Sequence, residues 1–170
     1  DSAFRPILGE LGRYFDHLAG HFPPQEAQQA RHQLLELFRE AELAAAPQAK
    51  ALPGAARLWE RACQVSRPVI FSNNSGVAIE RTLELLGWPQ PHTIMSRDDL
   101  PDPRQAKPEI RLFLRFQERG SWSGGEELWY LGDSNADVLF FQNLRAAALT
   151  GQGHRLFLVP EHRVTVTAEE

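Results

Sequence analysis

The stretch "LWYLGDSNADVLF", residues 128–140, contains two aspartates four positions apart, just after the apolar run "LWYL". Asp133 ends the predicted strand and Asp137 comes one helical turn later, so both carboxylates can face one point beyond a sheet. That arrangement suits Mg²⁺, since a hard cation prefers oxygen ligands and keeps some of its waters. A second interpretation needs no ligand: Asp133 or Ser134 caps the next helix, and Asp137 complements the dipole of its first turn. The segment by itself leaves both interpretations open.

A serine and two asparagines follow another apolar run, in "PVIFSNN" at residues 68–74. Short runs of this kind are typical of buried parallel strands. The hydroxyl of Ser72 and the backbone N–H groups of the turn predict an anion site, aided by the N-terminus of the following helix. Capping of that helix by Ser72 or Ser75 is the competing interpretation.

Lys107 lies in "AKPEI", just before a proline at the start of a predicted helix. Lysine is not a capping residue, and a cation at the positive end of a helix is unfavourable unless an anion is held there. The residue therefore predicts an anion site, with a solvated surface lysine as the alternative.

The elements that must position these side chains alternate between strands and helices after residue 52. Residues 1–50 are predicted to be wholly helical, because apolar residues recur there at helical spacing. The predicted strands are "PVIFSN", "HTIMS", "ELWYLGD" and "HRLFLVP", and the tail "HRVTVTAEE" alternates like an edge strand. This order indicates an α/β fold, a parallel sheet with helices on both faces, in which ligands bind at the carboxyl ends of the strands.

The order of these features resembles the motif order of the haloacid dehalogenase-like (HAD) hydrolase superfamily: a strand-end serine, then a lysine, then a pair of acids. The family's second motif is a strand ending in Ser or Thr, as in "VIFSN"; its third is a Lys often followed by Pro, as in "AKPEI". Its fourth has the form GD-x-x-x-D, as in "LGDSNAD". The resemblance covers roughly residues 50–150 and points to phosphoglycolate-phosphatase-like members. Residues 1–50 would be their small helical cap, and residues 51–170 the HAD-like core without its usual first strand.

The resemblance implies a Mg²⁺-dependent phosphatase that acts through an aspartyl-phosphate on a small phosphorylated substrate. Ser72 would hydrogen-bond a phosphoryl oxygen with Asn73 nearby, and Lys107 would neutralise the phosphate and the nucleophilic carboxylate. Asp133 would hold Mg²⁺, with Asp137 helping directly or through water. The cap would select the substrate.

The family's first motif, an apolar strand ending in D-x-D-G-T, supplies the nucleophile and is missing from this sequence. Asp16 has Leu18 in place of the second acid and lies in a helical pattern, so it is interpreted as a solvent-facing acid. The opening "DSAF" matches the continuation of that motif, so the nucleophile is expected upstream of residue 1 or on another fragment. Loss of this central strand would leave two strands with unpaired edges. A separate peptide, a partner chain or the tail strand "RVTVT" would then complete the sheet.

Two functions from different classes follow from the resemblance. The first is the phosphatase, with this chain as its larger part. The second is a catalytically inactive HAD-derived module that binds a phosphorylated ligand or a protein partner. A receiver-like domain is a weaker third option, since it needs an acidic cluster after its first strand.

The composition is that of a globular chain of 170 residues with a net charge of −4 and a pI near 5.9. This balance argues against nucleic acid or an anionic membrane as a partner. Cys63 is the only cysteine, which excludes an internal disulfide and favours a reducing compartment. No apolar stretch approaches the ~20 residues of a membrane span. We therefore expect a cytoplasmic protein.

Overall fold

The computed structural model describes residues 7–122, 127–147, 149 and 155–158, with the backbone alone for residues 7–11 and 158. The chain is α/β and rich in helix, with small parallel sheets. The described helices are α1 (Ile7–His21), α2 (Pro24–Ala45), α3 (Ala55–Val65), α4 (Gly76–Leu86), α5 (Arg111–Glu118) and α6 (Asn135–Ala146). The described strands are β1 (Val69–Phe71), β2 (Thr93–Met95), β3 (Trp129–Gly132) and β4 (Arg155–Leu158).

The chain divides into two compact units, and the boundary lies between Arg104 and Gln105. This boundary differs from the predicted division between cap and core at residue 50. The physical reason is that α2 makes contacts far along the chain, since Glu42 binds both Ser75 and Arg97. The assignment of residues 1–50 as a cap and residues 51–170 as a core remains a prediction.

The first unit contains the predicted helical region, and its helices form where the apolar spacing indicates. Phe15 and Leu18 on α1 are buried against a row of partly buried residues on α2, namely Ala27, Ala30, Leu34, Leu35 and Phe38. Gly87 ends α4 with a φ of 66°, a left-handed conformation that glycine adopts without a Cβ penalty. The helix prediction for this region is therefore confirmed over the described residues.

The strands of the first unit, β1 and β2, pair in parallel, with Val69 opposite Thr93 and Phe71 opposite Met95. Parallel pairing places both carboxyl ends at the same edge. The turn that begins at Ser72 and the turn that begins at Ser96 are consequently neighbours, and the backbone N–H of Arg97 donates to the carbonyl of Asn74.

The second unit is built from α5, α6 and the parallel pair β3 and β4, with Trp129 opposite Arg155 and Gly132 opposite Leu158. Tyr130 is buried, and its ring packs against Phe140 and Phe141 of α6, with centroid distances of 5.6 and 6.1 Å. The alternate residues of β3, Trp129 and Leu131, are exposed on the opposite face. This alternation fixes which β3 side chains can contact α6.

The predicted strands and helices thus occur where the described residues allow a comparison. The described strands form two parallel pairs, each of two strands. The tail "RVTVT" at residues 163–167 lies outside the described residues. None of the helices in the described part combines the length and apolar character that a bilayer span requires.

Candidate functional site

Asp137 is buried at the start of α6, with 4% of its surface exposed. Its Oδ2 accepts hydrogen bonds from the hydroxyl of Ser134 at 2.6 Å, from the N–H of Ser134 at 3.2 Å and from the N–H of Asp133 at 3.3 Å. Ser134 is the N-cap, and its Oγ accepts from the N–H of Asp137, so the two residues form a capping box. The interpretation that Ser134 caps this helix is confirmed.

The second oxygen of Asp137, Oδ1, holds the ammonium group of Lys107. The Nζ lies 2.5 Å from this oxygen, and the hydroxyl of Tyr130 donates to the same oxygen at 2.8 Å. The Lys107 side chain is only 11% exposed, so it is not a solvated surface lysine. The amide of Asn143 on α6 also donates to the carbonyl of Pro108 at 3.0 Å. Helix α6 therefore contacts the lysine turn at two points.

These contacts determine the ionisation of the group. Burial by itself would raise the pKa of Asp137, but the charge of Lys107 and hydrogen bonds from Lys107, Ser134 and Tyr130 outweigh it and lower the pKa to about 2. Burial, followed by the negative charge of Asp137, raises the pKa of Tyr130. The phenol is therefore protonated at neutral pH and donates to an ionised carboxylate.

Asp133 ends β3 and differs from Asp137 in that it is exposed. Its backbone N–H is bonded to Asp137, but no described residue donates a hydrogen bond to its carboxylate or pairs with it. Asp133 therefore presents both carboxylate oxygens to solvent, whereas both oxygens of Asp137 carry hydrogen bonds from the protein. The two acids are neighbours with different environments.

Gly132 precedes Asp133 and allows Asp137 to approach the strand end. A Cβ at residue 132 would overlap the Cβ of Asp137 and lie 2.8 Å from its Cγ. The glycine of the "GD" pair is therefore required by close packing between β3 and the first turn of α6, and not by a left-handed backbone.

Ser72 begins the turn after β1, and the turn is held on several sides. The N–H of Ser72 donates to the carbonyl of Met95 at 2.9 Å, and its Oγ accepts from the N–H of Asn74 at 3.2 Å. A hydroxyl that accepts one hydrogen bond still has its own proton to donate, for example to a phosphoryl oxygen. The carbonyl of Asn73 accepts from the guanidinium of Arg97 at 3.2 Å.

The N–H groups at the start of α4 bind carboxylates from other parts of the first unit. Glu42 Oε2 accepts from the N–H of Ser75 at 2.9 Å, and Asp98 Oδ2 accepts from the N–H of Gly76 at 2.9 Å. The Ser75 side chain, although it occupies the N-cap position, makes no capping hydrogen bond. The predicted capping by a serine is wrong here, because two distant carboxylates take that role. Any anion held at Ser72 would therefore depend on the hydroxyl and the adjacent turn, without these two N–H groups.

Asp16, the weak candidate for the missing nucleophile, lies inside α1 and is exposed. Its Oδ1 pairs with Arg104 at 2.6 Å. Arg104 also binds Asp102, whose pKa is lowered mainly by this hydrogen bond. The interpretation of Asp16 as a surface acid agrees with this geometry.

The predicted site residues thus fall into two groups, each inside its own unit. Ser72 and Asn73 belong to the first unit; Lys107, Asp133 and Asp137 belong to the second, where the structure brings them together. Within the described ranges, no three His, Cys, Asp or Glu residues are grouped closely enough to hold a metal ion. Mg²⁺ commonly uses only one or two carboxylates and completes its shell with water and phosphate oxygens.

No protein-family model, curated protein or solved structure matches this chain. The function must therefore be inferred from its own residues and their contacts.

Sequence reasoning missed several residues that shape the two groups. The sequence indicates Tyr130 only as part of an apolar strand, and nothing in its context indicates a partner seven residues away. Ser134 is a predicted cap, but the return hydrogen bond from Asp137 that completes the capping box is not part of that prediction. Glu42 and Arg97 had no local signal, because their partners lie 33 and 55 residues away along the chain.

Proposed function

We propose that this chain carries the phosphate- and Mg²⁺-binding residues of a HAD-like phosphatase that hydrolyses small phosphorylated substrates. The observation that carries the proposal is the pairing of Lys107 with Asp137 beside the exposed Asp133, at the carboxyl end of β3. A cation and two carboxylates at such a strand end suit phosphoryl transfer, which needs positioning and neutralisation of charge.

Lys107 and the two acids would have separate tasks in this reaction. The buried Asp137 holds the ammonium of Lys107 in place, so that it can attract a phosphoryl oxygen at the same point. Tyr130 adds a second donor to Asp137 and restricts the position of its carboxylate. Ser72 would contribute its hydroxyl proton and Asn73 a turn contact, as the resemblance implies.

The exposed carboxylate of Asp133 suits Mg²⁺, because it is a hard oxygen ligand without a competing described partner. Asp137 would contribute to the metal through a water molecule or after rearrangement, since both its oxygens accept hydrogen bonds in this structure. When bound, Mg²⁺ would neutralise charge on the phosphoryl oxygens and orient them.

The pairing of the strands gives further support. Within the described residues, β1 pairs only with β2, and β3 pairs only with β4. Each strand of the two pairs therefore keeps one edge without a described partner, and such an edge can accept a further strand. The nucleophilic aspartate would arrive on a further strand, from an upstream segment or from another chain.

The experiment is hydrolysis of p-nitrophenyl phosphate by the natural gene product, with its N-terminus first determined by intact mass. We expect Mg²⁺-dependent turnover, reduced at least about 100-fold by Asp133→Asn, because the substitution removes the charged ligand proposed to hold Mg²⁺ beside the reacting phosphate. Asp16→Asn is the matched control, since it makes the same chemical change at an exposed helical acid. Equal activity of the two variants would contradict the proposal.

The alternative function is a catalytically inactive module that binds a phosphorylated ligand or a protein. The exposed apolar residues Trp129, Leu131 and Phe157 on one side of the β3–β4 pair favour it as a second candidate. A natural product that begins at Asp1 and shows no turnover, alone or with a peptide carrying the D-x-D-G-T strand, would establish the module in place of the enzyme.

A further inference from the structure

The turn from Ser72 to Ser75 contains a backbone carbonyl that needs a donor and a backbone N–H that needs an acceptor. Two oppositely charged residues from elsewhere in the first unit, which form an ion pair, supply both. Arg97 donates from Nη1 to the carbonyl of Asn73 at 3.2 Å. Glu42 accepts through Oε2 from the N–H of Ser75 at 2.9 Å. A carbonyl needs a donor and an N–H needs an acceptor, so neither charged residue can replace the other.

The two charged side chains are themselves joined by a two-point ion pair. Arg97 Nη1 lies 2.6 Å from Oε1 of Glu42, and Nη2 lies 3.1 Å from Oε2. The side chain of Arg97 is 5% exposed and that of Glu42 is 17% exposed. A buried ion pair is in general weak evidence for stability. Removal of one partner is nevertheless destabilising, because it leaves the other charge buried without a counter-ion. The geometry thus makes the position of the turn depend on both residues.

Glu42 and Arg97, which both bind the turn, lie in different parts of the first unit. Glu42 lies in the last turn of α2, whereas Arg97 follows β2. Contacts of Glu42 therefore join the N-terminal helices to the carboxyl ends of the β1–β2 pair. Burial would raise the pKa of Glu42, but hydrogen bonds from Arg97 and from the N–H of Ser75 outweigh it, so the pKa is lowered and the acid is ionised.

We propose that Glu42 and Arg97 are positioning residues that hold the Ser72–Asn73 turn in the conformation that binds phosphate. They touch the turn and not the substrate, and they make the affinity for phosphate depend on where α2 lies. The part of this inference that concerns phosphate rests on the proposed function; the part that concerns the turn does not.

The test combines amide hydrogen exchange by NMR with titration of inorganic phosphate in the presence of Mg²⁺, on the full chain. Glu42→Gln keeps the size and an acceptor oxygen but removes the charge; Arg97→Lys keeps the charge but removes the two-point fork. We expect the exchange rate of the Ser75 N–H to rise at least about tenfold in both variants, because local opening becomes easier. Amides of α5 in the second unit should be unchanged.

Phosphate affinity provides the readout that a purely structural role would not change. At a temperature well below the Tm of each variant, we expect the Kd for inorganic phosphate, followed at the Ser72 amide, to rise about tenfold. Arg81→Gln is the matched control, because Arg81 forms an exposed ion pair with Glu84 on α4. That variant should leave both the exchange rate and the Kd as in the unmodified chain.

Three outcomes have defined meanings. Unchanged Ser75 exchange in both variants overturns the positioning role, whatever the phosphate result. Faster exchange with an unchanged phosphate Kd overturns the link between the turn and phosphate binding. If the unmodified chain binds no phosphate, the proposed function fails at Ser72, while the exchange data still decide whether Glu42 and Arg97 hold the turn.

Discussion

The turn after β1 and the turn after β3 stand at equivalent places, each between a strand of a parallel pair and the helix that follows. They are stabilised in opposite ways. The N–H groups after β3 bind Asp137, which is three or four residues away. After β1, the N–H groups of Ser75 and Gly76 at the start of α4 bind Glu42 and Asp98, which are 33 and 22 residues away. One turn is closed by its own sequence and the other by distant parts of its unit.

The difference shows how similar strand-end turns acquire different chemistry. The turn after β3 uses a local carboxylate to close itself, and this carboxylate then attracts Lys107. The turn after β1 receives carboxylates from outside, which occupy the helix start, while the Ser72 hydroxyl accepts one hydrogen bond and keeps its own proton to donate. Substitutions at the two turns test this contrast.

Asp137→Asn should be the most damaging substitution, because it leaves the buried ammonium of Lys107 without its counter-ion. We expect a loss of about 3–5 kcal/mol in the free energy of unfolding, measured by urea denaturation. Asp133→Asn is the control, with an expected change within about 0.5 kcal/mol for an exposed side chain. Similar losses for the two variants would show that the Lys107–Asp137 pair contributes little.

Gly132→Ala should destabilise the turn after β3 by about 2 kcal/mol, because the added methyl group overlaps Asp137. Gly20→Ala, in the last turn of α1, is the opposite case. Its added Cβ has no close neighbour within 4 Å, so the substitution should stabilise by up to about 0.5 kcal/mol through helix propensity. Thermal unfolding of the two variants should therefore shift in opposite directions, and a shift of the same sign would refute the steric explanation.

Low pH should lower the stability of the second unit, because Asp137 becomes protonated. Its pKa is lowered from 3.8 to about 2, so its stabilising contribution is complete above pH 4 and is lost as the pH falls through about 2. A pKa difference of this size corresponds to about 2 kcal/mol. The pH dependence between 4 and 2, followed by urea denaturation, should be reduced in Asp137→Asn by this amount. If the stability of Asp137→Asn falls between pH 4 and 2 as much as that of the unmodified chain, groups other than Asp137 are responsible for the pH dependence.

Two serines at N-cap positions provide the smallest and most direct comparison. Ser134→Ala should cost about 1 kcal/mol, because its hydroxyl caps α6. Ser75→Ala should cost less than about 0.5 kcal/mol of capping energy, because its side chain makes no capping hydrogen bond to α4. Chemical denaturation of both variants tests this order, and a larger loss at Ser75 would mean that the distant carboxylates are not the main cap.

The order of helices and strands could be predicted from the sequence because it depends on local spacing. Apolar periodicity located α1 and α2, and Gly87 marked the end of α4. The placement of Asp133 at a strand end followed from the apolar run before it. The partner of each strand could not be predicted in the same way, since it depends on which edges meet in space; among the described strands, β1 pairs with β2 and β3 with β4.

The candidate site was predictable only in part. The sequence indicated Lys107 as a residue that holds an anion, but the identity of that anion as Asp137 required the packing of α6 against the lysine turn. Nothing in the sequence indicated that Asp137 is buried while Asp133 is exposed. Burial separates them, because one carboxylate lies under Lys107 and Tyr130 and the other faces solvent.

The polar residues at the strand ends and a cap at the start of α6 followed from the sequence alone, because these features lie within one turn of the chain. Packing was needed to show that Glu42 and Arg97 hold the Ser72 turn and that Tyr130 joins the Lys107–Asp137 pair. The physical reason is that hydrogen bonds and ion pairs act over a few ångströms in space. Residues far apart in the chain give no sign of that proximity until the helices and strands are packed.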